Sequence, residues 1–582
     1  MGKGNRDVAA LCYSGIEWLF GYVSCMTHLT IKIGTSDFRS LREKGGYYVD
    51  KSLFVAEILK GSDIIVLPRP RRFGKTLNMS TLRLFLDRKT ADQDALFAGL
   101  KLMQEPESVL RHKGRHPVIY LTLKDWKFDD IDALRLKFVH AMATLFGENA
   151  ELLAYLDEDE TRLFRALRSS QASLDEVQSS LLTLSTWMKR VHGEEVAILI
   201  DEYDSPLINA WTEGYLTEAI KLLRPWFSAG LKDNTSIFKG VMTGILRIGK
   251  ESLFSGLNNP EIATVLNGGP FEDKFGFTED EVTRLLTDFG KPGRLDEARQ
   301  WYNGYRFGET TIYNPWSITH FAKSSDPLPE AYWVNTSDNA LVYESLAARE
   351  DDIRDQLQGI LEGREVRAVL NDNTVFADIA RDPDSLWSFL VHTGYLKVGD
   401  KAQDWRGRTT FSLSIPNEEL RFIFSTFVDR AYWKPSYKGL DRILEGIILD
   451  NAELLQKELG ELFRQIVSFH DTAKDPEAFI HGFFLAMAAN LSNRYLIESN
   501  REAGLGRADM ILIPRHPSQF GLPKIFEFKS IDKDDDPQAA LTAALKQIAD
   551  KDYSARCRAA GFADFVAFAL VQQGKQLFIQ RA

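Results

Sequence analysis

A chain of 582 residues has room for about three or four domains. Its 44% hydrophobic and 26% charged residues are an ordinary globular composition, and a net charge of -11 argues against a general nucleic-acid coat while leaving room for a local basic groove. Three cysteines (Cys12, Cys25, Cys557), with no CxxC and no Cys/His cluster, argue against a disulfide framework or a zinc site and fit a reducing cytoplasm. No apolar run reaches membrane-spanning length. The nearest candidate, Ala9 to Met26, is interrupted by Glu17 and has no A-x-A cleavage site, so residues 1–29 read as an N-terminal extension ahead of domain sequence starting at Thr30.

In chain order, residues 46–60 predict a short strand and then a helix capped near Asp50 or Ser52. Ile64–Leu67 is a buried-strand pattern, followed by a glycine-lysine loop and a helical run from Leu77 to Asp87. Val118–Leu121 is a second strand, and residues 131–192 are helical and amphipathic. Val196–Ile200 and Phe238–Thr243 are a third and a fourth strand. Strands alternating with helices predict a three-layer α/β sheet, mostly parallel, over residues 30–285. Residues 286–450 predict a helical lid or winged-helix-like module, with one strand pair, Tyr395–Val398 and Thr410–Ile415. Residues 451–582 return to an α/β pattern: a helix over 477–493, strands near 495–499, 508–513 and 524–529, a helix over 537–555 and a last strand near 565–570.

The segment Arg69-Pro70-Arg71-Arg72-Phe73-Gly74-Lys75-Thr76 follows a strand and opens a helix, the setting of a P-loop. Helix-start N–H groups would face phosphate oxygens, Lys75 would reach the β/γ-phosphates and the Thr76 hydroxyl would ligate magnesium. Gly74 lets the backbone come close. Arg69 stands where the usual pattern has its first glycine, so nucleotide binding is expected more firmly than hydrolysis. Asp201, ending an apolar strand, would hold magnesium through water, and Glu202 would polarise the attacking water. Asp204 extends this acidic cluster, Thr243 is a candidate phosphate sensor, and Arg247, Arg71 and Arg72 are candidate charge-stabilising cations.

A second constellation lies near the C-terminus. Asp509 sits in one strand pattern, and Lys524-Ile525-Phe526-Glu527-Phe528-Lys529 is another. Alternation puts Glu527 and Lys529 on one face and Phe526 and Phe528 on the other. If the strands pair, Asp509, Glu527 and the Phe528 carbonyl make an oxygen site for magnesium, with Lys529 placed to position or activate water. Glu477 could add a carboxylate, and His481 lies four residues on along the same helix face. Ser499, Arg501, Glu502, Arg507 and Gln547 are further candidates around the site.

The stretches GTSDFRSLREKGGYYVDKSLFVAEIL, LPRPRRFGKTLNMSTLRLF, AILIDEYDSPL, WYNGYRFG, YNPWSI, LSIPNEELR and SNREAGLGRADMIL…IFEFKS stand in this order. Together they resemble a bacterial family that joins an AAA-ATPase-like domain to a C-terminal PD-(D/E)XK (restriction-endonuclease-like) domain, over residues 30 to 575. The loop R-P-R-R-F-G-K-T is typical of that family, so Arg69 looks like a family trait. The resemblance implies Lys75, Thr76, Asp201 and Glu202 for ATP and Mg²⁺, and Asp509, Glu527 and Lys529 for nuclease chemistry. The expected function is a cytoplasmic, nucleotide-regulated, metal-dependent nuclease on DNA or RNA, with homo-oligomerisation open and no membrane partner. The competing expectation is a nucleotide-gated switch whose C-terminal domain binds without cleaving.

Overall fold

Ile64–Pro68 (β1), Val118–Thr122 (β2), Val196–Asp201 (β3), Ile237–Gly244 (β4) and Glu261–Ile262 (β5) form one sheet in the order β2-β3-β4-β1-β5 in a computed structural model of the protein. The described residues are 30–90, 94–247, 260–326, 328–333, 342, 356–357, 359–361, 364–372, 376–379, 382–424, 440–466, 476–488, 491, 494–503, 506–515 and 521–582. The N-terminal extension therefore lies outside them. The chain divides into two compact units, residues 1–421 and 422–582, and residues 286–450 are shared between the two.

In the first unit every pairing of the five-stranded sheet is parallel. Parallel strands are covered on both faces, which is why they read as unbroken apolar runs; all six residues of β3 are buried. The chain leaves β1, re-enters three positions away at the edge strand β2, and returns strand by strand. Strand β4 thus separates β1 from β3, and Thr243 is in register with both Leu67 and Asp201. All these strands end at one edge, where ligands of open parallel sheets bind. Helix α1 (Lys75–Leu86) starts there, with Gly74 at its N-cap at φ 85°.

Residues 46–49 form no strand, only an isolated Thr30–Gly46 bridge; the helix follows at Leu53–Lys60, where Asp50 accepts from the N–H of Ser52 and of Lys101. The helical stretch 131–192 is broken by caps, including Asp157/Glu160 and Ser173/Glu176 capping boxes. Beyond the sheet, the helices Glu279–Asp288 and Leu295–Tyr302 and α2 (Pro315–Lys323) share a core with Ile31.

The middle stretch holds more strand than its pattern predicts. A hairpin of three-residue strands, Tyr305–Phe307 (β6) and Thr310–Ile312 (β7), turns at Gly308. Val366–Ala368 (β8) joins Lys397–Gln403 (β9) and Thr409–Ser414 (β10) in an antiparallel sheet ordered β8-β10-β9. Three-residue strands are too short to show a period. Strand β9 starts two residues later than expected because Tyr395 and Leu396 N–H groups close helix α3 (Pro383–His392) on the Leu390 carbonyl, past Gly394 at φ 87°.

The second unit is one sheet in chain order: Tyr495–Ala503 (β11), Gly506–Pro514 (β12), Lys524–Ile531 (β13), Val566–Gln573 (β14) and Gln576–Arg581 (β15). Only β13 and β14 are parallel, and a parallel pair needs a crossover, which the helix Pro537–Asp550 supplies. Met510, Leu512, Phe526, Phe528 and Phe568 face helices α4 (Ala452–Ile466) and α5 (Pro476–Ala488). Ile511, Ile513 and Ile525 face Ile548 of α6 (Pro537–Asp550) and Tyr553. Strand β15 goes beyond the last strand expected; the polar run Gln572-Gln573-Gly574-Lys575-Gln576 hides it as a chain end when it is a turn at Gly574, φ 60°. Among the described residues no helix is long and apolar enough to cross a membrane.

Candidate functional site

The loop from Pro68 to Lys75 is shaped by two positions in the left-handed region, Gly74 and Arg72, the latter at φ 68°. A non-glycine residue there is strained, and such strain persists where surrounding structure holds it. Glu202, just past β3, is a third at φ 54°. Both strained non-glycine residues line one cavity of about 820 Å³, with Arg71, Phe73, Gly74, Lys75 and Thr76.

Lys75 is buried, and its Nζ donates to the Arg69 and Pro70 carbonyls, both at 3.0 Å. Burial pushes its pKa down, against the pull of Glu202, Asp204 and Asp201. Thr76 Oγ1 donates to Asp201 Oδ2 at 2.7 Å, which leaves the hydroxyl lone pairs for a cation. Thr243 is fully buried behind Asp201 and donates to Asp201 Oδ1. It does not line the cavity, so the geometry makes it a holder of Asp201 where the sequence suggested a phosphate sensor. Burial raises the Glu202 pKa, with Lys75 opposing. Lys124 and Lys127, which sequence reasoning passed over, also line the cavity; the L-K-D-W-K stretch after β2 was the available signal. Cations on several sides of a small acidic group suit a triphosphate with its metal.

Two expectations change and one gains detail. The Arg69 side chain turns away from the cavity: fully buried, it donates to the carbonyls of Pro68 (2.9 Å), Ala263 (2.5 Å) and Phe271 (3.5 Å) and packs over Phe275 and Phe307. Burial lowers its pKa to about 9. Only its backbone carbonyl reaches Lys75. Asp204 lines the same cavity, but its Oδ2 is committed to the N–H groups of Ile245 (2.7 Å) and Leu246 (2.8 Å), which ties the turn after β3 to the end of β4. A Cβ at Gly244 would come within 2.6 Å of Asp204 Oδ1, so glycine is required there. Arg247 is an electrostatic neighbour of buried His392 and does not line the cavity.

In the second unit Met510 pairs with Phe526, and the antiparallel register carries Asp509 to the level of Glu527. The Phe528 N–H donates to Asp509 Oδ2 at 2.8 Å. Glu527 is buried, and Lys529 Nζ lies 3.2 Å from its Oε1. Gln547 Nε2 on α6 also donates to Glu527 Oε1 and lies 3.2 Å from the Tyr553 hydroxyl. Phe526 and Phe528 pack on the opposite face, as alternation requires. His481 Nε2 stands 3.0 Å from both the Asp509 carbonyl and Ser499 Oγ; a carbonyl only accepts, so that nitrogen carries the proton. The side chains of Glu477, Arg501, Glu502 and Arg507 lie outside the described ones. Among the described residues no group of three His, Cys, Asp or Glu side chains gathers as a metal cage. Two carboxylates on facing strand positions nevertheless match the hard oxygen donors that a divalent cation takes.

Residues 32–254 match a family model described as "Predicted AAA-ATPase", and residues 475–582 match the PD-(D/E)XK nuclease superfamily. The chain is 25% identical over 548 residues to an uncharacterized protein in the vnfD 5' region of Azotobacter chroococcum mcd 1, covering 92% of this chain and 95% of that relative. Among solved structures, a Walker-type ATPase of Pyrococcus abyssi aligns with a TM-score of 0.34 and 13% identity, over 66% of this chain and 97% of that one. The chain thus combines an AAA-ATPase-like N-terminal region with a C-terminal domain of the PD-(D/E)XK nuclease superfamily.

Proposed function

We propose that this AAA-ATPase-like and PD-(D/E)XK chain is a nucleotide-regulated nuclease of the cytoplasm acting on DNA or RNA. The observation that supports it is the pairing of two phosphate-chemistry arrangements in one chain: Lys75, Thr76 and Glu202 around one cavity with Asp201 behind Thr76, and Asp509, Glu527 and Lys529 on neighbouring strands.

At the first site Lys75 would exchange its two loop carbonyls for phosphate oxygens of ATP. Arg71, Arg72, Lys124 and Lys127 supply a positive field. Thr76 and Asp201 would hold Mg²⁺, which would neutralise phosphate charge. Thr243 keeps Asp201 oriented, and Glu202, its pKa raised by burial, accepts a proton from the attacking water. At the second site Asp509 and Glu527 would hold a divalent ion, which would supply a water of lowered pKa and charge neutralisation at the phosphodiester. Lys529 orients that water, and Gln547 fixes the Glu527 carboxylate.

The test is incubation of the full chain with Mg²⁺ or Mn²⁺ and varied nucleic acids. Cleavage lost in Lys529→Ala supports the reading; a wild type that never cuts, or a variant that cuts equally, sinks it. The switch reading has one observation in its favour: Asp509 and Glu527 both hydrogen-bond protein groups. Nucleotide binding without turnover, unchanged in Glu202→Gln, together with nucleic-acid binding without cleavage, selects the switch.

A further inference from the structure

The hairpin of β9 and β10 is absent from both sites, and its tip has an unusual composition. From Asp400 to Thr409 every residue is exposed except Asp404, so the paired strands form an arm that buries little. The tip is built to be stiff. Asp404 N–H donates to the Arg408 carbonyl, Gly407 N–H donates to the Asp404 carbonyl, and Gly407 takes φ 76°. That is a type I turn closed by a left-handed glycine, a standard hairpin end. Asp404 Oδ1 further accepts from the N–H groups of Arg406 (2.9 Å) and Arg408 (2.8 Å), and Oδ2 from Arg408 Nε (2.8 Å). The aspartate is consumed in holding the turn.

What this turn presents is Trp405, 85% exposed, with the Arg406 guanidinium 4.4 Å from its ring centroid. A tryptophan at a turn tip contributes nothing to a core and costs solubility, so a bland structural role does not account for it. Lys401 and Arg408 are exposed on the same arm. Lys397 to Arg408 carries four cations against two carboxylates, in a chain whose total is -11. A two-stranded ribbon fits a duplex groove, arginine and lysine neutralise phosphates, and an aromatic ring stacks on or wedges between bases.

We infer that the β9–β10 hairpin engages double-stranded nucleic acid, with Trp405 and Arg406 entering a groove and Lys401 and Arg408 on its phosphates. The inference rests on the reading that nucleic acid is the substrate, and extends it by assigning a binding element to the first unit, apart from the Asp509 and Glu527 carboxylates.

The experiment measures fluorescence anisotropy of a short labelled DNA duplex titrated with the full chain, its Trp405→Ala form and its Trp405→Ala/Arg406→Ala form. Expected is a loss of about tenfold in affinity for the first, the order of one lost stacking contact, and more for the second. Thermal midpoint and binding of a fluorescent ATP analogue should not change, since the tip supports no core. If wild type binds and cuts duplex and both tip variants match it, the hairpin assignment is overturned while the nuclease reading stands. If the variants bind duplex normally but lose self-association in sedimentation, the occupant is a second copy and the assignment is again overturned. If wild type binds no duplex, the assignment falls; if it also cuts no nucleic acid, the nuclease reading falls with it.

Discussion

The Arg72 guanidinium lies over the Trp316 indole, 4.0 Å from the ring centroid, and joins the phosphate loop to the first turn of α2. Trp316 is fixed from two sides: Asn314 Oδ1 accepts its N–H, and its Nε1 donates to the Tyr332 carbonyl. Arg72 is the strained residue of the loop, so this stacking contact is one of the interactions that hold it. Trp316→Ala is expected to weaken nucleotide binding about three- to tenfold, the range of a partly desolvated cation–π contact. Arg72→Gly relieves the backbone and should still lose affinity. Titration with a fluorescent ATP analogue measures both; unchanged affinity in the two variants would refute the role given to the pair.

Arg69→Gly restores the glycine of the usual P-loop pattern, yet it should destabilise the protein. It strips the Pro68 and Ala263 carbonyls of a charged donor and leaves an arginine-sized space between Phe275 and Phe307. A loss of about 3 kcal/mol is expected, seen as a thermal midpoint several degrees lower. A midpoint equal to or above wild type would contradict the bracing role.

These two residues also show what a reader of the sequence can and cannot see. Gly74-Lys75-Thr76 after a strand, and Asp201-Glu202 after another, are legible because their spacing is local. The work of Arg69 is not, since Ala263 and Phe271 are 194 and 202 positions away. For the same reason the sequence shows Asp204 as part of an acidic cluster but not its second task, accepting from the N–H groups of Ile245 and Leu246. Alternation correctly put Glu527 and Lys529 on one face, but the bond from Gln547 depends on how α6 crosses the sheet. Strands of three residues, such as β6 and β8, carry too little pattern to be read at all.

Glu419 makes the fold of the first unit sensitive to pH. It is fully buried, accepts from Ser317 Oγ of α2 (2.8 Å) and the Trp333 N–H (2.8 Å), and burial raises its pKa from 4.5 to about 7. The folded state therefore keeps a proton that the unfolded state releases above about pH 4.5. Its stabilising contribution is fully present below that pH and is lost as pH rises through about 7, roughly 3 kcal/mol in all. Glu419→Gln imitates the protonated form at every pH. The midpoint of the variant minus that of wild type should grow by several degrees from about pH 5 to about pH 8. A constant difference, or one of opposite slope, would rule the assignment out.

Lys75→Met removes a buried ammonium that waits on two carbonyls. Without nucleotide the variant should melt no lower than wild type. With saturating ATP and Mg²⁺, wild type should gain several degrees by binding linkage and the variant none. Equal gains in both would show that Lys75 does not hold phosphate.

The regulatory claim is tested most directly by the rate of nucleic-acid cleavage in the presence of Mg²⁺ or Mn²⁺, measured with and without ATP, in wild type and in Lys75→Met. The account predicts a wild-type rate that changes severalfold with ATP, a Lys75→Met rate that is the same in both conditions, and no cleavage in Lys529→Ala under either. A wild-type rate indifferent to nucleotide would contradict it.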